Sequence, residues 1–158
     1  MTVVLDDLLR QVVSAKSGLQ PVPTLELSGG AVSVVGHPTR LERVIGHLVQ
    51  NAIDATPPEG RVVIRLLQHD GCAIIAIVDT GCGMSEQFMH SRLFRPFEST
   101  KAMGMGIGTY EAQQYVRELG GRIEVESREA EGTHFRVILP LSDFGHATEG
   151  NAVVESQA

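Results

Sequence analysis

Between residues 99 and 110 the sequence runs STKAMGMGIGTY, with glycines at 104, 106 and 108 and one cation, Lys101. Glycine at every second position lets backbone N–H groups approach a ligand without a Cβ in the way. The run feeds a helical pattern that begins near Ile107, and the first amides of a helix have no intrahelical acceptor and sit at the positive end of its dipole. Such a place suits an anion, phosphate above all. A dinucleotide-binding turn does not fit, because no strand precedes the run and its spacing is G-x-G-x-G; a Walker loop does not fit, because no Gly-Lys-Ser/Thr closes it. Taken alone, the run is as readily a flexible loop.

Two further groups give it company. In DTGCGM, residues 79–84, Asp79 ends an apolar strand with Gly81 and Gly83 just beyond. A carboxylate there can accept a hydrogen bond from an adenine amino group, and the glycines would let a base lie against the backbone; a plain strand-ending turn is the alternative. On a long helical stretch, Arg43, His47, Asn51 and Asp54 form a polar stripe beside the apolar one. A solvated helix face is the bland reading of that stripe, but the amide oxygen of Asn51 is a competent magnesium ligand alongside phosphates and waters.

The elements that must position these groups are legible from periodicity. Leu5, Leu8, Leu9, Val12 and Val13 predict a helix over 3–16, broken by residues 20–23. Short strands at 24–27 and 32–35 follow. The stretch PTRLERVIGHLVQNAIDAT carries Leu41, Val44, Ile45, Leu48, Val49, Ala52 and Ile53 as one apolar face, with Pro38 in its first turn and Pro57-Pro58 after its end. His37 stands where such a helix usually has Asp or Ser as N-cap. RVVIRLLQ and CAIIAIVD predict strands joined through Asp70-Gly71, the second central because it is apolar on both faces. A short helix is expected near 85–92 and irregular chain over 95–106. Ala112, Tyr115, Val116 and Leu119 mark a further helix stopped by Gly120-Gly121. RIEVES and HFRVILP close the fold as strands, and residues 142–158 form a C-terminal tail expected to be disordered. The whole predicts an α+β, two-layer α/β sandwich: a mixed sheet with its helices packed on one face.

Composition sets limits. The 158 residues are 42% apolar and 20% charged, an ordinary globular balance for one domain. A net charge of −6 argues against nucleic acid or an acidic membrane surface as the main partner. The two cysteines, Cys72 and Cys82, have no disulfide-framework density or metal spacing, which fits a reduced, cytoplasmic setting.

Five motifs in order resemble the ATP-binding catalytic domain of sensor histidine kinases, within the gyrase-like (Bergerat) ATPase superfamily. HLVQNAIDAT is similar to its N box, DTGCGM to the first glycine box, LFRPFESTK to the F box and GMGIGTY to the second glycine box. GGRIEVESREAEGTHFRVILP is similar to the closing strand–turn–strand. The resemblance places the catalytic domain at residues 1–141. The short PFESTKAMG lid resembles that of nitrogen-regulator-type kinases, and HLVQNAIDATPPEG more loosely resembles the exosortase-linked sensor kinases.

The resemblance implies roles. Asn51 would hold Mg2+ between the phosphates of ATP, and Asp79 would take the adenine amino group with Thr133 in support. Gly81, Gly83 and Met84 would border the base, and Phe94 would anchor a lid with Phe97. Thr100 and Lys101 in the lid, with Gly104, Gly106, Ile107 and Gly108, would contact the phosphates, so that the glycine run is both cradle and hinge. His47 stands where the hydrolases and serine kinases of the superfamily carry a general-base Glu, four residues before the magnesium Asn. None of the six histidines has the context of the family's phosphoacceptor. The implied activity is therefore phosphoryl transfer to a His on dimerisation helices outside this chain, with a response regulator downstream, no nucleic-acid partner, no direct membrane contact by this domain, and a parent kinase anchored in the inner membrane. A related ATP hydrolase, a serine-kinase anti-sigma factor and a nucleotide-binding interaction module without chemistry are the competing readings.

Overall fold

A computed structural model describes residues 1–27, 31–81, 107–128 and 132–142. Strand β1 (Thr2–Val4) leads into helix α1 (Leu5–Ala15), followed by β2 (Thr24–Leu27), β3 (Ser33–Val35), helix α2 (Pro38–Asp54), β4 (Val62–His69) and β5 (Cys72–Asp79). Helix α3 (Ile107–Glu118), β6 (Arg122–Arg128) and β7 (Gly132–Pro140) complete the described chain. Five strands form the main sheet in the order β2-β4-β5-β7-β6, with β2 parallel to β4 and every other pair antiparallel. The helices pack on one face of it, α2 between α1 and α3. This is the expected two-layer α/β sandwich.

The apolar face read on α2 is the centre of the core. Leu41, Ile45, Leu48 and Val49 lie against Ile64, Ile75, Ile77, Phe135 and Val137 of the sheet, all fully or nearly fully buried, and Val44 alone of the stripe is only half-buried. Each such side chain gains about 1.5–3 kcal/mol from burial, so this helix is held mainly by its packing. His37 proves able to cap it: its Nδ1 accepts from the Arg40 amide at 3.4 Å, Pro38 fills the first turn, and the His37 amide donates to the Tyr115 hydroxyl at 2.8 Å.

Three details depart from the sequence reading. The first helix begins at Leu5, because Val3 and its neighbours pair instead with β3 in a separate two-stranded ribbon. Buried Asp6 secures that junction by accepting from the Val32 amide at 2.8 Å. The strands at 24–27 and 33–35 therefore belong to different sheets. β5 is central, but no second layer covers its outer face among the described residues: Ile74 and Val78 stay half-exposed, and Ala76 is buried beside Arg65 and Arg136 at the same register. Asp70 and Gly71 both take positive φ, 51° and 76°, as a tight hairpin turn requires. Among the described residues no helix is long and apolar enough to cross a membrane.

Candidate functional site

The antiparallel register sets Val62, Asp79, Thr133 and Ser127 side by side in one row at the end of the sheet. Asp79, Thr133 and Ser127 make that row polar, where the next two inward rows, through Ile77 and Ile75, are apolar. Asp79 is buried and its Oδ1 accepts two backbone amides, from Gly81 at 2.8 Å and Thr133 at 3.2 Å. Oδ2 has no hydrogen bond among the described residues. Burial pushes the Asp79 carboxyl above its ordinary value, and the two amides pull it partly back. Ser127 was not singled out by any motif, yet its hydroxyl donates to the Gly132 carbonyl at 3.1 Å and lies 2.8 Å from the Thr133 hydroxyl. Asp79, Ser127, Gly132 and Thr133 line a cavity of about 220 Å³.

Two glycines make this end possible. A Cβ on Gly132, which sits at φ +121°, would run into the Asp79 carbonyl oxygen. A Cβ on Gly81 would run into the Ala55 carbonyl oxygen at the C-cap of α2. Through that second contact the end of β5 meets the end of α2, one turn from Asn51, whose carbonyl accepts the Ala55 amide at 3.0 Å. The link is backed by Thr80, which exchanges two hydrogen bonds with Arg61 across the start of β4.

On α2 the polar stripe divides by burial. Asn51 is buried, His47 half-buried, and Arg43 and Asp54 exposed. Buried Nε2 of His47 has no hydrogen-bond partner among the described residues. Desolvation lowers the pKa of this imidazole and Lys16 adds to the effect, while Glu111 and Asp54 oppose it. A neutral ring with an unused nitrogen thus lies one turn from Asn51. A larger groove of about 550 Å³ between α1 and α2 borders His47 but touches neither Asn51 nor Asp79; the polar row and the glycine contacts, not the size of a hollow, identify the site.

The structure brings Asp79, Gly81 and Thr133 together, and sets Asn51 and His47 on the adjoining helix. Ile107 and Gly108 open α3, where the sequence expected a helix start. Gly83, Met84, Phe94, Thr100, Lys101, Gly104 and Gly106, with the short helix near 85–92, lie outside the described residues. The part that is described fits a nucleotide: an open carboxylate oxygen, a floor only glycine can form, and an orphaned imidazole nitrogen beside a buried amide.

The chain belongs to the family of histidine kinase-, DNA gyrase B- and HSP90-like ATPases, whose pattern matches residues 36–143. It is 35% identical over 120 residues to the circadian input-output histidine kinase CikA of Synechocystis, covering 70% of this chain and 16% of that protein. The fold matches the mycobacterial sensor histidine kinase MprB with a TM-score of 0.78 at 25% identity, over 89% of this chain and 98% of that one. It also matches histidine kinase ThkA, solved in complex with response regulator protein TrrA, with a TM-score of 0.72 at 25% identity, over 89% of this chain and 41% of that one. The sheet and its one-sided helices are thus the Bergerat fold, and the chain is an ATP-binding catalytic domain of the histidine kinase type. It spans less than a fifth of the length of the curated relative above.

Proposed function

We propose that this domain binds Mg·ATP and passes the terminal phosphoryl group to a histidine on dimerisation helices outside this chain, as part of a two-component sensor kinase. The observation that carries the reading is Asp79: a buried carboxylate with one oxygen saturated by backbone amides and the other open to an adenine amino group. Thr133 supports the base, directly or through water, and Gly81 lets it lie close to the backbone. Asn51 would hold Mg2+, which would supply positive charge against the phosphates. His47, one turn from Asn51, would donate to a phosphate oxygen in the tautomer that protonates its Nε2. Lys101, Thr100 and the glycines at 104, 106 and 108 complete the phosphate cradle, with Ile107 at the helix start. In the transfer, an imidazole nitrogen of the acceptor bonds to phosphorus, the bond from phosphorus to the β,γ-bridging oxygen breaks, and ADP leaves.

A response regulator that then takes the phosphoryl group is supported by the likeness to ThkA in its complex with TrrA. The domain works at the cytoplasmic side, within a kinase anchored in the inner membrane. His47 in place of a carboxylate general base favours kinase over hydrolase, since an imidazole acceptor needs little deprotonation at neutral pH. Radiolabelled ATP tests the proposal. The chain alone should release phosphate very slowly and stay unlabelled; with a relative's dimerisation helices added, an acid-labile, base-stable label should appear on those helices. Rapid phosphate release by the chain alone, abolished in His47→Ala, would instead establish a hydrolase.

A further inference from the structure

Along α2, Thr39, Arg43, Gly46 and Gln50 recur at i, i+4, i+7 and i+11 and line one side of the groove that the end of α1 walls. At 1.5 Å per residue that stripe is about 16 Å long, or about three helical turns. Its floor is low. Ala15 offers only a methyl, and a Cβ added at Gly46 would meet nothing within 4 Å. A straight trough of this length and depth, about 550 Å³ in volume, has the shape that receives another helix.

Charge narrows the choice of occupant. Gln50 Nε2 donates to Asp54 Oδ1 at 2.9 Å, and Gln50 Oε1 accepts from Lys16 Nζ at 2.9 Å. An ammonium only donates and a carboxylate only accepts, so both bonds have a fixed direction. Lys16 is thereby held at the groove by a neutral amide, and it forms no ion pair among the described residues. Arg43 is exposed in the middle of the stripe and pairs with no described residue. Glu42 is the single acid among the described lining residues, on a chain whose net charge is −6. Two unpaired cations on an acidic protein favour an acidic partner.

Position completes the case. The groove borders His47, one turn and about 6 Å along α2 from Asn51, and it lies away from Asp79. A helix seated there would stand beside the phosphate end, where the acceptor of the phosphoryl group is needed. We propose that the groove between α1 and α2 docks the phosphoacceptor helix through an acidic face, with carboxylates meeting Lys16 and Arg43. This rests on the reading of the chain as a kinase domain that serves a histidine outside it.

The test combines the full chain, labelled ATP and a relative's dimerisation helices. It reads KM for the helices from the label, and the binding of helices and of ATP by calorimetry. Lys16→Glu together with Arg43→Glu should raise that KM about tenfold and leave ATP affinity at the parent value. Added salt should raise KM for the parent but not for this double variant. Gly46→Leu fills the floor without altering charge and should also raise KM. Arg122→Glu reverses a charge in the row of Ile74 and Ile138, on the opposite face of the sheet, and should change nothing. An unchanged KM in the groove variants, or an equal rise in Arg122→Glu, would overturn the proposal. So would a dimer of the chain in sedimentation that Gly46→Leu abolishes, since the groove would then hold a second copy. Helices that bind the parent and not the groove variants, yet are never labelled, would uphold the docking and refute the transfer reading. Helices that neither bind nor take label would overturn both.

Discussion

The two ends of the candidate site are finished to different degrees. At the base end, Asp79, Thr133, Ser127 and Gly132 are tied to one another by hydrogen bonds within adjacent, fully paired strands. At the helix end, a buried imidazole nitrogen one turn from Asn51 has no partner among the described residues. The strands can complete their polar row because cross-strand register brings backbone and side chains into contact wherever the sheet exists. A helix satisfies its own backbone and leaves its side chains to find partners elsewhere. The strand end is thus preorganised, whereas the helix end carries an unsatisfied group that a ligand could complete.

The sharpest way to break this contrast is to disturb the rigid end. Gly132→Ala must hold a side chain at φ +121° against the Asp79 carbonyl. It should lose about 3 kcal/mol of stability, from backbone strain together with overpacking, read as a fall in the denaturant midpoint at constant slope. A normal midpoint would mean that the base end is far more pliable than its hydrogen bonds indicate.

Asp79→Asn separates binding from stability at the same end. Its carbonyl oxygen can keep both amide bonds, but an NH2 replaces the open acceptor and faces the adenine amino group. ATP affinity should drop by about 1.5–3 kcal/mol in calorimetry, with no loss of stability at neutral pH. The sign follows from the raised carboxyl pKa: the folded state holds this proton more tightly than the unfolded state. The associated stability is present below the ordinary carboxylate range and is lost as pH rises through the raised value. The parent should show that decline in thermal denaturation against pH, and Asp79→Asn should lack it.

At the helix end the effects should be smaller and of a different kind. His47→Ala removes the donor proposed for phosphate and should weaken ATP binding by about 1 kcal/mol, while deleting an unsatisfied buried atom at little or no cost in stability. Its lowered pKa gives stability that is full above the ordinary imidazole range and is lost as pH falls through the folded value. The variant should lose part of the parent's acid sensitivity in that window; among the described residues His134, whose pKa burial also lowers, contributes as well. One residue earlier, Gly46 lies in mid-helix, and a Cβ added there would meet nothing within 4 Å. Gly46→Ala should raise stability by about 0.5–1 kcal/mol in the same denaturation assay and leave ATP affinity unchanged. A loss of binding there would show that the helix end tolerates less than its open packing suggests.

How much of this was written in the sequence differs by element. The α2 stripe is legible because one face repeats over 17 residues, enough for a period of 3.6 to stand out. The three residues of β1 carry no period, and their strand exists only because β3 lies beside them. Asp79, Gly81 and Thr133 are found from local motifs and their resemblance to a family. Ser127 is not, because a serine in RIEVES looks the same whether it faces water or a threonine.

The sequence by itself determined the longer helices and strands, the inward face of α2, and that a carboxylate would stand at the end of a central strand. Those are consequences of short-range periodicity and side-chain chemistry. The tertiary structure alone decided that Ser127, Thr133 and Asp79 share one row, that Ala55 closes on Gly81, and that the His47 nitrogen is buried away from every described partner. Each of these depends on strand register and helix–sheet packing between residues far apart in the chain, and a contact of that kind has no local signature.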